Sequence, residues 1–201
     1  MRLTACGSNS TSPPWRATWA TSSRVNADPF RLTIPSRYPS PFIVDSRLPV
    51  VVVLDHVRSM YNVGAFFRTA DAVRLERLVL CGITAHPPQE GIGKTALGAE
   101  ETVPWEYHTD ALVPLRMMRA RGYHVAAIET GDSATDIFDW QPSWPVCVVF
   151  GNEVDGLGEG VLSSCDAHIR LPMNGVKNSL NVATAGGVVV YELLRKFRER
   201  R

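Results

Sequence analysis

Paired cysteines are missing from this sequence. Its four cysteines, Cys6, Cys81, Cys147 and Cys165, show no CxxC spacing and no histidine cluster beside them, so neither a zinc site nor a disulfide framework is indicated and a reducing cytoplasm fits best. Long apolar runs are missing as well. Val50 to Leu54 and Val146 to Phe150 fall well short of the roughly 18 consecutive residues of a spanning helix, so no membrane association is expected. Leu3-Thr4-Ala5-Cys6 matches a lipoprotein cleavage box, but a secretory signal needs roughly 7 to 15 apolar residues ahead of it and there is no room for them. A decisive net charge is also lacking: the formal value is +1, which argues neither for nor against nucleic acid.

What is present is enough apolar material for one sizeable core. With 201 residues, 45% of them apolar, one catalytic domain plus an appendage is the simplest division. Charge is concentrated at the ends. Arg2, Arg16, Arg24, Arg31, Arg37 and Arg47 precede the core against only Asp28 and Asp45, and Arg195, Lys196, Arg198, Arg200 and Arg201 follow it against Glu199. Basic ends of this kind serve as solvated tails or as phosphate contacts.

Residues 1–47 are rich in Ser, Thr, Pro and Arg and hold no sustained period, so they read as a basic, poorly ordered arm, with the folded domain over 48–201. Within it the pattern alternates. Strands are expected at Val50–Leu54, Leu78–Cys81, Val103–Tyr107, His124–Ile128, Val146–Phe150 and His168–Leu171, and helices over Asn62–Arg74, Asp110–Arg121 and Leu180–Phe197. The Gly- and Pro-rich stretch from Gly82 to Gly93 reads as a loop. The fold class is therefore α/β, a mostly parallel sheet with helices on both faces, whose ligands bind beyond the carboxyl ends of the strands.

Three segments gather chemistry at such ends. In the first, Asp55 to Ala70, Asn62 is placed as a helix N-cap, and Arg68 projects a guanidinium from a rigid helix. In the second, Phe150-Gly151-Asn152-Glu153-Val154-Asp155-Gly156-Leu157, glycines let the backbone approach a planar ligand and Glu153 supplies a fixed anionic acceptor. Its spacing is not G-x-G-x-x-G and its strand does not open a βαβ unit, which argues against a dinucleotide loop. In the third, Leu171 to Ala185, a polar loop turns through Gly175 into Ser179 and Asn181, which open a helix whose Ala183, Ala185, Gly186 and Gly187 permit close packing. Capping alone explains Ser179, but not the amides and hydroxyl gathered at Asn174, Asn178, Ser179 and Asn181.

In this order and spacing the segments resemble the three signature motifs of the SpoU/TrmH family of RNA 2′-O-ribose methyltransferases, in the SPOUT superfamily. Asn62 and Arg68 match the first motif, Glu153 the N-E-x-x-G-L motif, and Ser179 with Asn181 the S-L-N motif, over about residues 50–197. The resemblance implies a C-terminal deep trefoil knot, a homodimer, and S-adenosyl-L-methionine bound without metal, its adenine held mainly by backbone groups. Carried over by position, the cofactor loops are Ile128, Glu129, Thr130 and Gly131; Phe150, Gly151 and Asn152; Ile169 and Leu171; and Ser179 with Leu180. The catalytic group it implies is Arg68, Asn62, Glu153, Ser179 and Asn181, acting on a ribose 2′-hydroxyl of structured RNA, tRNA or rRNA. A guanidinium keeps its proton below pH of about 12, so Arg68 is expected to stabilise a developing alkoxide or clamp a phosphate rather than act as base. The alternative is a non-catalytic RNA-binding protein with the same knotted fold. Phe66-Phe67 stands where smaller aliphatic residues are frequent in the family, which suits a buried helix face.

Overall fold

The protein is described here from a computed structural model, which describes residues 47–131 and 133–200. The basic arm expected over residues 1–47 lies outside the described residues, apart from Arg47, whose Nη1 donates to the Leu75 carbonyl at 3.3 Å.

The elements run β1 (Leu48–Asp55), α1 (Met60–Ala72), β2 (Leu75–Cys81), α2 (Glu90–Ala96), α3 (Ala99–Thr102), β3 (Trp105–His108), α4 (Leu112–Ala120), β4 (His124–Ile128), β5 (Thr135–Asp136), β6 (Val146–Phe150), α5 (Glu159–Leu162), β7 (Ala167–Arg170) and α6 (Val182–Glu199). The strands form one seven-stranded sheet in the order β3-β2-β1-β6-β4-β7-β5, and every pairing in it is parallel. The chain interleaves: β6 returns to lie between β1 and β4, and β7 then enters between β4 and β5.

Unbroken apolar runs in β1 and β6 bury both faces, as a covered parallel sheet requires. Alternation then assigns each residue a side. Val50, Val52, Leu54, Val148 and Phe150 pack in one core with Phe66 and Phe67 of α1, Ile92 of α2 and Val189, Val190 and Leu193 of α6. Val51, Val53, Cys147 and Val149 pack in a second core with Leu115 and Met118 of α4 and Val161 of α5. Phe66 and Phe67 are 2% and 0% exposed. Room for Phe66 comes from Gly186 of α6, where a Cβ would stand 2.1 Å from the Phe66 ring. The far end of α6 is tied down by Lys196, a buried ammonium donating to the carbonyls of Ile137 at 2.9 Å, Phe138 at 3.1 Å and Trp140.

Several local expectations need correction. The stretch from Gly82 to Gly93 is not all loop, because α2 begins at Glu90. Gly91 and Gly93 weaken its helical signal, yet Ile92 and Ala96, one turn apart, are buried against α1. Helix α1 begins at Met60, and its cap is Ser59 rather than Asn62: the Ser59 hydroxyl accepts from the Asn62 N–H at 3.4 Å. Asn62 therefore sits in the first turn with its side chain released for another use. Asn181 caps α6, its Oδ1 accepting from Ala183 N at 3.0 Å and Thr184 N at 3.3 Å, so this helix starts at Val182 and not Leu180. The two-residue β5 and the four-residue α3 and α5 were not anticipated. Such short elements are set by tertiary contacts and carry no readable period.

Candidate active site

The carboxyl ends of β4 and β6, the residues after β7 and the start of α6 converge on a cleft of about 680 Å³. Phe150 forms part of its floor, buried to 2% exposure and held edge-on to Phe66 with centroids 5.2 Å apart. The chain then folds back tightly at Gly151. A Cβ there would lie 2.4 Å from the Gly156 carbonyl carbon, so backbone meets backbone at a distance no side chain permits. Asn152 locks the turn. Its backbone exchanges bonds with Gly156 at 3.1 and 3.0 Å, its Oδ1 accepts from Val154 N at 2.7 Å, and its Nδ2 donates to the His56 carbonyl at 3.1 Å.

The polar cluster at the mouth joins all three motif segments. Asn62 Nδ2 donates to Glu153 Oε1 at 2.9 Å, and Asn181 Nδ2 donates to Asn62 Oδ1 at 3.1 Å. Backbone N–H groups of Arg58 and Ser59 donate to the Glu153 carboxylate at 3.2 and 3.5 Å. Partial burial works to raise the Glu153 pKa, but the Asn62 amide and these N–H groups outweigh it and hold the carboxyl below the usual carboxylate range. Asp155 stands at the rim, 74% exposed, with its carboxylate 3.8 Å from Arg58 Nη2.

Of the residues expected to hold a cofactor, Ile128, Glu129, Thr130, Phe150, Gly151, Asn152, Leu171, Ser179 and Leu180 lie along the cleft. Ile169 and Gly131 are not in its lining. Ile169 is fully buried in β7 and offers its carbonyl to the Glu129 N–H at 3.0 Å. Gly131 lies beside the Glu129 carboxylate, 3.2 Å from where its Cβ would be. Leu157, Met173 and Val182, which the motifs do not mark, also line the cleft, as do Ala185, expected as a packing residue, and Asn178 of the third segment's amide cluster. The only sequence signal of the first three is apolar character next to the glycine-bearing loops.

Asn62, Glu153 and Asn181 are brought together, and Ser179 lines the same cleft. Arg68 is not brought to them. It is exposed on α1 and outside the cleft lining, about 9 Å along the helix from Asn62 and about 120° around it. Burial raises the thiols of Cys81 and Cys147, which sit within the sheet away from the cleft. Among the described residues no group of three His, Cys, Asp or Glu side chains gathers as a metal site would require.

A wholly parallel α/β sheet opening at its strand ends onto a glycine-tightened cleft defines a ligand-binding α/β domain of the kind that holds nucleoside-like molecules. The chain matches the SpoU rRNA Methylase family over residues 49–191, and it belongs to that family. A Staphylococcus haemolyticus protein named for the TrmH family of tRNA/rRNA methyltransferases is 33% identical over 149 residues, 74% of this chain and 59% of its own length. The 23S rRNA (guanosine-2′-O-)-methyltransferase RlmB of Vibrio parahaemolyticus is 31% identical over 74% of this chain and 60% of its own. The chain thus spans about three fifths of these relatives. Among solved structures, the SpoU methyltransferase AviRb from Streptomyces viridochromogenes, in complex with AdoMet, superposes with a TM-score of 0.68 at 26% identity, covering 75% of this chain and 58% of that one. A structure concerned with 2-OH methylation of C/U34 on tRNA superposes with a TM-score of 0.67 at 26% identity, over 75% of this chain and 97% of its own.

Proposed function

We propose that this protein transfers a methyl group from S-adenosyl-L-methionine to a ribose 2′-hydroxyl of a structured tRNA or rRNA, as a cytoplasmic homodimer. The observation that carries the reading is the charge of the cleft. Among the described residues its lining holds Glu129, Glu153 and Asp155 and no lysine or arginine, a setting that favours a cationic sulfonium and disfavours the pyrophosphate of a dinucleotide. The first N–H groups of α6, which would otherwise attract an anion, are already taken by Asn181.

Bound there, the cofactor supplies an electrophilic methyl on sulfur. The chain supplies placement. Backbone at Phe150–Asn152 and apolar groups at Leu171 and Leu180 provide a slot for a planar base. Glu153, held ionised below the usual carboxylate range, is a weak base; its work is to fix Asn62, which in turn fixes Asn181. This amide-carboxylate chain, with Ser179 beside it, gives a rigid edge against which a ribose is oriented.

Arg68 acts in this reading from the second subunit. Its place on α1, away from its own chain's cluster, suits delivery to the partner's cleft, where a guanidinium clamps a phosphate or stabilises the alkoxide. Apolar side chains left open on the same helices support a dimer contact: Tyr61 is 55% exposed on α1 and Tyr191 53% on α6. The knot belongs to the same reading, supported by the late entry of β6 and β7 between earlier strands. RNA phosphates have a place beside the cleft, where Arg170 and Lys177 line a neighbouring cavity of about 320 Å³.

The test is to incubate the protein with cellular RNA and methyl-labelled cofactor and to map ribose methylation with and without the gene. Label at one 2′-oxygen is the expected result. Calorimetry showing no binding of S-adenosylhomocysteine would overturn the reading.

A further inference from the structure

The carboxylates facing the cleft differ in what they have left to offer. Glu153 is occupied by Asn62 and by two backbone N–H groups. Asp155 lies at the solvent rim, opposite Arg58. Glu129, at the end of β4, is 23% exposed, and its backbone is fixed by the N–H bond to the Ile169 carbonyl. Its one side-chain partner among the described residues is His168, whose Nδ1 lies 3.4 Å from Glu129 Oε1.

His168 is itself held in place. Its Nε2 donates to the Leu162 carbonyl at 3.0 Å, which fixes the plane of the ring, and in the imidazolium form its Nδ1, aimed at the carboxylate, is a donor as well. Gly131 stands on the other flank, 3.2 Å from Oε1 at its would-be Cβ, so a larger residue there would crowd the carboxylate. Glu129 is thus a braced carboxylate on the cleft lining, with no other hydrogen-bond donor on it among the described residues.

We propose that the Glu129 carboxylate accepts the paired hydrogen bonds of a vicinal ribose diol in the bound cofactor, with His168 as its positioning residue. The inference rests on the cofactor reading above and assigns one chemical group within it. Two neighbouring hydroxyls match the two oxygens of a carboxylate, which is how an acidic residue reads the same group in unrelated nucleotide folds. It also gives a site otherwise made of backbone and apolar contacts a side-chain means of telling ribose from deoxyribose.

The experiment compares S-adenosylhomocysteine with its 2′,3′-dideoxy analogue by calorimetry on the full chain. The wild-type protein should bind the dideoxy ligand about 10²- to 10⁴-fold more weakly, the loss expected for two hydrogen bonds to a charged acceptor. Glu129→Ala should bind both ligands equally, and Glu129→Gln, which keeps the shape and one acceptor, should give an intermediate ratio. His168→Phe keeps the ring but removes the brace, and it should shrink the ratio without lowering affinity for the dideoxy ligand; a merely structural role would weaken both ligands alike. A ratio unchanged in Glu129→Ala would overturn the assignment. So would equal losses for both ligands, which would place another donor of the cofactor on this carboxylate. Wild-type protein that binds neither ligand would instead sink the cofactor reading itself.

Discussion

Glu153 and Glu129 face one cleft from neighbouring strands, β6 and β4, yet they are set up in opposite ways. Glu153 is already engaged: an amide and two backbone N–H groups donate to it and hold its pKa down. Glu129 has a single imidazole beside it and an open side toward the cleft. A carboxylate that already accepts its hydrogen bonds makes a good brace and a poor base, whereas one left open is ready for a ligand. The cleft therefore has a wall that positions and a wall that binds, and the two should fail differently when altered.

The largest effect should come from a residue that belongs to neither wall within one chain. Arg68→Ala should lower methyl transfer by about 10²- to 10³-fold, the usual cost of losing a donor at developing charge, while leaving S-adenosylhomocysteine affinity nearly unchanged. Arg68→Lys should also be severely impaired, since one ammonium does not reproduce a planar fork. If Arg68 serves the partner's site, mixing Arg68→Ala with Glu153→Gln should restore about a quarter of wild-type activity, because half of the dimers are mixed and each holds one intact site. A mixture as inactive as its components would place Arg68 in its own chain's site or outside chemistry altogether.

On the binding wall, Gly151→Ala forces a Cβ to within 2.4 Å of the Gly156 carbonyl carbon, a backbone atom with little freedom to give way. Cofactor affinity should fall by about tenfold or more, equivalent to roughly 1.4 kcal/mol, with the melting temperature less affected than binding. Equal loss of stability and affinity would mean that the turn at Gly151 is a folding element first.

Behind both walls, Gly186→Ala tests the packing that carries α6 to the cleft. Its Cβ would meet the Phe66 ring at 2.1 Å, and overpacking of this kind costs about 1–3 kcal/mol. Chemical denaturation measures it, and Phe66→Leu in the same chain should recover much of the loss.

This contact also shows how far the sequence alone could be read. The small residues Gly186 and Gly187 announced a close approach, and Phe66 announced a buried face, but nothing in the sequence paired Gly186 with Phe66 across so long a stretch of chain. The strands were legible where apolar β-branched runs are unbroken, as at Val146–Phe150, and blurred where a partner sets the ends, as in β5 with its two residues. Asn62 was misread as a cap because a local rule fits an Asn ahead of an apolar helix. The Glu153 carboxylate, distant in sequence, is what uses its amide. Glu129 and Gly131 were placed by position among backbone contacts, while His168, which sits in an ordinary strand, gave no signal of its contact with Glu129.

The smallest expected effect separates the two carboxylates by pH. Glu153 has its pKa lowered in the folded protein, so its contribution to stability is fully present above the ordinary carboxylate value of about 4.3 and is lost only as pH falls through the lower folded value. Between about pH 5 and 8 the Asn62–Glu153–Asn181 chain should then be unchanged, and kcat/KM should show no limb that belongs to Glu153. Single-turnover rates across that range, for wild type and for Glu153→Gln, test this directly. The variant should be far slower at every pH, because its NH2 would face a donor in either orientation, the Arg58 N–H at the Oε2 position or the Asn62 amide and Ser59 N–H at the Oε1 position, yet its profile should run parallel to the wild type. An acidic limb centred near pH 6 in the wild type that disappears in Glu153→Gln would mean the carboxyl exchanges a proton during the reaction, and the positioning wall would have to be read as a base.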